Sequence, residues 1–252
     1  MRNGSCTSQP MLWKIGCSGY HYREWEGLFY PADLPRNKWF DFYCEHFSTI
    51  ELNTTFYKFP RIEALQKWRQ RSPPAFSFSV KAPRIITHFK KFKDAQRYLT
   101  DFYEATRKGL EDKLGCVLFQ FPANFQYDEP KLQRIIGLLD LTIPNVLEFR
   151  HTSWFNEAVF SALRQHQITF CSMDHPAMPD YVVKTSSMIY HRLHGVPHIY
   201  VSRYPTQKLD DLARRIQESG EDQTVYVYFN NTTEGAAVVN ARELLDIAEL
   251  VH

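Results

Sequence analysis

Asn-Val-Leu-Glu-Phe-Arg, residues 145–150, reads as a buried strand that ends in a glutamate and an arginine. An unpaired ion inside a core costs several kcal/mol, so such a strand must open at that end onto a polar space. The same arrangement recurs along the chain. STIEL (48–52) carries Glu51, FSFSVK (76–81) ends at Lys81, ITFCSMD (168–174) ends at Asp174, and MIYHRLH (188–194) carries Arg192 and His194. VYVYFNN (225–231) ends on Asn230 and Asn231, polar but uncharged. One edge of the sheet is therefore a polar mouth. In a (β/α)8 barrel the C-terminal edge of the strands is where active sites lie.

The rest of the chain fits that architecture. Strands are expected at 12–16, 48–52, 76–81, 116–121, 145–149, 168–173, 187–193 and 224–229. Helical patterns occupy 37–47, 61–71, 94–112, 129–140, 155–166, 206–219 and 234–250. The gap at 175–186 is short and holds Pro176 and Pro179, so its helix is expected to be reduced or missing. Strands alternating with helices imply parallel pairing, and eight such units favour an α/β (β/α)8 TIM barrel over an open sheet. The 252 residues suit one such domain, 1–252, with no linker dividing them. No GxGxxG or GxxxxGK[ST] loop is found.

Strand parity sorts the polar residues, because i and i+2 share a face. Glu51 sides with Thr49 and Asn53, Lys81 with Ser77 and Ser79, Glu148 with Arg150, and Arg192 with His194. Ile50, Leu52, Phe78, Val80, Leu147, Phe149 and Leu193 should face the helices. The mouth then holds Glu51, Glu148 and Asp174 against Lys81, Arg150 and Arg192, a balanced set.

Composition excludes several classes of function. A net charge of +2 does not describe a protein that coats itself in nucleic acid, although it leaves room for a local basic patch. The five cysteines are odd in number and form no CxxC pair, which argues against a disulfide framework or zinc ribbon and points to the cytoplasm. No apolar run approaches the roughly 18 residues of a membrane span, and the N-terminus has no signal-peptide core. Aromatics make up 15% of the chain, and Tyr20, Tyr22, Trp25 and Tyr57 among others fall after strands. Most are expected to pack the rim, some to offer a stacking surface.

Taken in order, CSGYHYREWEGLFYP (17–31), IELNTTFYKFP (50–60), FSFSVKAPRIITH (76–88), GCVLFQFPANF (115–125), LEFRHTSWF (147–155), YHRLHG (190–195) and VYVYFNNTTEGAAVVNA (225–241) closely resemble the DUF72 family, with its YecE-like members. The resemblance implies a TIM barrel. The family's activity is not established, so it leaves the reaction open. The opening block usually reads TSGW; Cys17, Ser18, Gly19 and Tyr20 stand there, and Tyr20 keeps an aromatic ring with a polar tip. The other blocks carry over Glu51, Asn53, Tyr57, Lys81, His88, Gln120, Glu148, Arg150, Trp154, Asp174, Arg192, His194 and Asn230 without obvious departure.

The chemistry of these groups sets the expectations. Glu51 and Glu148 suit a general acid/base pair, with Asp174 beside them as a third carboxylate. Lys81 suits anchoring an anion or moving a proton. Arg150 and Arg192 suit bidentate capture of a carboxylate or phosphate. Tyr20, Asn53, Tyr57, His88, Gln120, Trp154, His194 and Asn230 complete a substrate-binding set, although for Trp154 packing over the fifth strand is the stronger reading. A metal centre built from His88, His151, His194 and the carboxylates is disfavoured by the neighbouring cations, and His151 has the wrong parity. The expectation is an acid/base enzyme for a small anionic or sugar-like substrate, with no metal and no organic cofactor. Its rivals are a metal-dependent nuclease or sugar isomerase and a non-catalytic binding barrel. A small molecule is favoured over nucleic acid as partner, and no membrane contact is expected.

Overall fold

Tyr43 holds together the one seam of this barrel that lacks a strand ladder. The computed structural model describes residues 11–220 and 224–250. Its strands are β1 (Leu12–Cys17), β2 (Thr49–Leu52), β3 (Ser77–Lys81), β4 (Leu114–Gln120), β5 (Asn145–Glu148), β6 (Thr169–Asp174), β7 (Met188–Leu193) and β8 (Thr224–Phe229). They form one parallel sheet in the order β1-β8-β7-β6-β5-β4-β3-β2. As expected, 12–16 pair in register with β8, from Leu12 opposite Thr224 to Cys17 opposite Phe229. Between β1 and β2 the Tyr43 hydroxyl accepts from Cys17 N at 2.8 Å and donates to Thr49 O at 3.0 Å. Gly16 lets the two strands approach, since a Cβ there would lie 2.4 Å from Thr49 O. Tyr43→Phe leaves a buried N–H without a partner. It is expected to cost about 1–3 kcal/mol, read as a lower thermal midpoint.

Helices α1 (Trp39–His46), α2 (Thr54–Tyr57), α3 (Ile62–Arg71), α4 (Gln96–Leu110), α5 (Glu129–Leu138), α6 (Glu157–Gln165), α7 (Thr206–Glu218) and α8 (Ala236–Leu250) fill the connections. Their starts follow local chemistry. Asp128 caps α5 by accepting from Lys131 N at 2.8 Å, and Asn156 caps α6 by accepting from Val159 N at 3.1 Å. In α7 the buried residues Leu209, Leu212, Ala213 and Ile216 make one apolar stripe. No helix forms between β6 and β7. That segment instead runs back along β6: Ser172 Oγ accepts from Val183 N at 2.9 Å, and Thr185 Oγ1 accepts from Phe170 N at 2.7 Å. The single turn α2 and the π-type turn Ile85–Phe89 are additions the sequence pattern did not show. Among the described residues no helix is long and apolar enough to cross a membrane.

Two separate cores result. The larger lies between sheet and helices and includes Ile50, Leu52, Phe78, Val80, Leu147, Phe149 and Leu193, the residues assigned there by parity. The smaller fills the barrel itself with Cys116, Leu118, Val146, Cys171, Met188, Tyr190, Tyr226 and Tyr228. Polar tips inside this second core are paired across the barrel. Thr49 Oγ1 lies 2.5 Å from the Tyr228 hydroxyl, Ser77 Oγ 2.9 Å from that of Tyr226, and Ser79 Oγ 2.7 Å from that of Tyr190. These pairs form the floor on which the charged mouth rests.

Candidate functional site

Above that floor, the strand ends bring Glu51, Glu148 and Arg192 together with almost no exposure, at 0%, 0% and 1%. Arg192 is the keystone. Its Nη2 donates to Glu51 Oε1 at 2.7 Å and its Nη1 to Glu148 Oε2 at 2.5 Å. Glu51 Oε1 also accepts from Ser18 Oγ at 2.8 Å and Asn53 Nδ2 at 3.1 Å. Its Oε2 accepts from the Tyr190 hydroxyl at 2.6 Å. Tyr190 has one proton and gives it to Glu51, so it must accept from Ser79. Glu148 Oε1 accepts from Arg150 Nε. The Arg150 Nη2 lies 2.9 Å from His194 Nε2, and the Asn230 amide 3.0 Å from His194 Nδ1. A chain of hydrogen bonds thus runs from Ser18, just after β1, round to Asn230, just after β8.

Electrostatics separates the members of this set. Burial works to raise the Glu148 carboxyl, but Arg150, Arg192 and Lys81 outweigh it and hold it down at about 2. Burial likewise opposes the charge on Glu51, and Arg192 with its hydrogen bonds reverses that, leaving the group below the ordinary carboxylate range. Both are carboxylates at neutral pH, saturated with donors, and poorly suited to exchange protons. His194 is pushed well below its ordinary value by burial and then by Arg150 and Arg192, so its ring is neutral. Lys81 differs. Burial and Arg192 lower it, Glu148 and Glu51 only partly resist, and it settles at about 8. Among the described residues its Nζ makes no ion pair; it rests 4.4 Å above the centre of the Phe56 ring. His88 stands close by, edge-on to Phe56 at 4.9 Å, lowered to about 4 by burial and then by Lys81.

Asp174 departs from the expected set. Its register partner is Leu193, a residue of the outer core, so it points away from the mouth. There it faces Lys208, whose Nζ is 3.2 Å from Oδ2, and the Asp180 that Lys208 also engages. Parity within β6 gives the reason: Cys171 and Met173 hold the inward positions, and Asp174 falls on the opposite face. The mouth therefore holds two carboxylates against Arg150, Arg192 and Lys81. With Asp174 removed, the balance expected from sequence becomes a surplus of one cation.

Trp154 also lies elsewhere. It is fully buried, stacked on Phe149 at 3.9 Å, with Nε1 donating to Phe125 O at 2.6 Å, and no ring face is left for a ligand. Gln120 faces inward beside Glu148 but donates to Phe121 O at 2.8 Å. His151 is held by its neighbour, its Nδ1 2.8 Å from Ser153 Oγ. Among the described residues no three His, Cys, Asp or Glu side chains are grouped to hold a metal ion.

Tyr20, Asn53 and Tyr57 come together at the β1/β2 side. They wall a largely apolar cavity of about 460 Å³ with Ser18, Leu52 and Trp68. Ser18 and Asn53 line this cavity and both donate to Glu51, so the cavity adjoins the charged set. A second hollow of about 320 Å³, lined by Gly115, Asn145, Thr169 and Thr224, opens at the opposite end of the strands, away from these charges. Sequence reasoning missed Ser18, Tyr190 and Phe56 as members of the site. Tyr190 was within reach, since it shares the parity of Arg192 and His194. Phe56 acts through a turn that no periodicity announces.

Eight parallel strands with a charged, partly enclosed mouth at their C-terminal ends define a (β/α)8 barrel. Residues 14–252 match the family described as "Protein of unknown function DUF72", and the chain belongs to that family. It is 25% identical over 258 residues to the UPF0759 protein YunF of Bacillus subtilis (strain 168), covering 88% of this chain and 91% of that one. With the UPF0759 protein YecE of Escherichia coli (strain K12) it shares 31% identity over 115 residues, 45% of this chain and 42% of YecE. The crystal structure of a DUF72 family protein from Thermotoga maritima MSB8 superposes with a TM-score of 0.86 at 28% identity, over 94% of this chain and 99% of that one.

Proposed function

We propose that this chain is an enzyme that moves a proton on a small anionic or sugar-like substrate at the barrel mouth. Lys81 is the group that gives and takes the proton. Glu51, Glu148 and Arg192 form the rigid frame around it. Arg150, His88 and Asn230 stand at the rim to receive the substrate. The observation that carries this reading is the contrast between Lys81 and every other ionisable group of the mouth. Its amine, at about 8, is poised near neutral pH and has no ion-pair partner among the described residues. A proton-transfer group works best when its pKa lies near the operating pH.

The surplus of positive charge supports an anionic substrate, or an intermediate that becomes anionic as a proton leaves carbon. Arg150 offers the guanidinium with the most exposure in the mouth, its side chain 14% exposed against 1% for Arg192. It is the natural contact for a carboxylate or phosphate. The test is exchange of substrate C–H for deuterium. The protein is incubated in D2O with phosphorylated sugars and keto acids, and loss of C–H signals is followed by proton NMR. Exchange is expected for at least one compound, rising with pH through about 8 and absent in Lys81→Met. Equal exchange by wild type and Lys81→Met, or binding of these compounds with no exchange at all, would remove Lys81 from this role.

A further inference from the structure

Beyond the mouth, the loops that follow β2 and β3 differ in charge from the rest of the chain. Residues 53–61 and 82–93 contain Lys58, Arg61, Arg84, Lys90, Lys91 and Lys93 and not one Asp or Glu. Among the described residues none of these six cations is in an ion pair with a carboxylate, although the chain as a whole carries only +2. Large rings stand exposed among them: Tyr57 at 72%, Phe89 at 65% and Phe59 at 36%. The Arg84 guanidinium lies between two of these rings, 5.8 Å from the centre of Tyr57 and 5.3 Å from that of Phe89.

This surface is built on a firm base. Phe92 is fully buried and packs against Phe119 and Phe121, each 5.4 Å away between ring centres. Lys91 and Phe92 both take a positive φ, 49° and 60°, a conformation that side-chain-bearing residues adopt only when their surroundings enforce it. That turn drives Phe92 inward and leaves the lysines around it at the surface. Tyr57 belongs at once to this rim and to the wall of the 460 Å³ cavity, so a planar group leaving the ring of Tyr57 has an enclosed space to enter.

Unpaired cations alternating with exposed rings answer to a partner that alternates phosphates with flat bases. We infer that the rim formed by residues 53–61 and 82–93 binds single-stranded nucleic acid, its backbone on Arg84, Lys90 and Lys93 and its bases on Tyr57 and Phe89. A duplex hides its bases from such rings, and an acidic peptide has no flat faces to stack. The side chains that carry this binding, Arg84, Lys90, Lys93, Tyr57 and Phe89, are not those assigned to proton transfer, and the binding requires no turnover, so it stands or falls apart from that reading.

The test is fluorescence anisotropy with 12-nucleotide oligothymidylate and oligouridylate, a 12-base-pair duplex and polyglutamate as competitor. Both single strands are expected to bind, with the two arms reporting any preference between DNA and RNA. The triple variant Arg84→Ala, Lys90→Ala, Lys93→Ala should flatten the slope of log K against log salt by about 2, from about 0.7 for each phosphate contact. Tyr57→Ala and Phe89→Ala should each weaken binding about tenfold, within the range of one lost base stack. All five side chains lie at or near the surface, so these variants retain the fold, which a thermal melt verifies. The inference is overturned by no binding at low salt, by tighter binding of the duplex, or by equal competition from polyglutamate with both aromatic variants unchanged.

Discussion

Arg192→Met is expected to be among the most damaging single substitutions in this barrel, lowering stability by about 3–5 kcal/mol. Among the described residues the guanidinium is the one cation that touches both Glu51 and Glu148, and all three are buried. Removing it leaves two carboxylates in the barrel with Arg150 paired to one of them only. The cost is that of Glu51 left without its cation, so neutralising Glu51 should recover most of it. The double variant Arg192→Met, Glu51→Gln keeps the Glu148–Arg150 pair and the wild-type charge balance, and is expected to approach wild type in urea unfolding at pH 7. The pH dependence has a definite sign. In wild type Glu148 is depressed to about 2, so its stabilisation is complete above its ordinary 4.5 and is lost as pH falls toward 2. In Arg192→Met Glu51 loses its main cation and Glu148 one of the three that hold it down, so both titrate higher and the gap between wild type and variant should narrow in acid. A gap that stays constant from pH 7 to pH 4, or a double variant no better than the single, would show that shape and not charge makes Arg192 necessary.

Much of this arrangement is legible in the residues themselves. The alternation of strands and helices gives the barrel, and the missing sixth helix follows from Pro176 and Pro179 in a short gap. Parity places Glu51, Lys81, Glu148, Arg192 and His194 on one face correctly, because a strand has only two faces and the apolar neighbours occupy the other. Asp174 shows the limit of that logic. A place at a strand end does not put a residue in the mouth, and in β6 Cys171 and Met173 claim the inward face, which leaves Asp174 on the other. The pairing scheme was beyond sequence for another reason. Lys81 and Arg192 look alike as cations at strand ends, and only three-dimensional reach decides which of them meets both carboxylates. The same holds for the seam: nothing in the sequence announces that a tyrosine of α1 joins β1 to β2. The basic rim was hidden by averaging, since six cations in two loops vanish into a net charge of +2.

That difference between the two cations yields the opposite result at Lys81, where Lys81→Met is expected to stabilise the protein. With Arg192 and Arg150 matching Glu51 and Glu148, the mouth is neutral without Lys81, and the lysine is the surplus charge. Its fall from 10.5 to about 8, at about 1.4 kcal/mol for each tenfold change in proton affinity, corresponds to roughly 3 kcal/mol by which the folded state disfavours the ammonium. Methionine has nearly the same length, no charge to bury, and a thioether that packs well against the Phe56 ring. For a chain of this size the thermal midpoint should rise by about 5–10 °C at pH 7. The sign follows from linkage. Between about 8 and 10.5 the unfolded chain holds a proton on Lys81 that the folded chain has released, so wild-type stability rises with pH across that window. The advantage of Lys81→Met should therefore be full below pH 8 and gone by about pH 10.5. A variant that melts below wild type, or an advantage that does not shrink over that range, would mean that Lys81 belongs to the structural network after all. A protein that keeps a surplus, partly buried cation against its own stability does so where the cation has work to do, which is the pattern expected of a functional site.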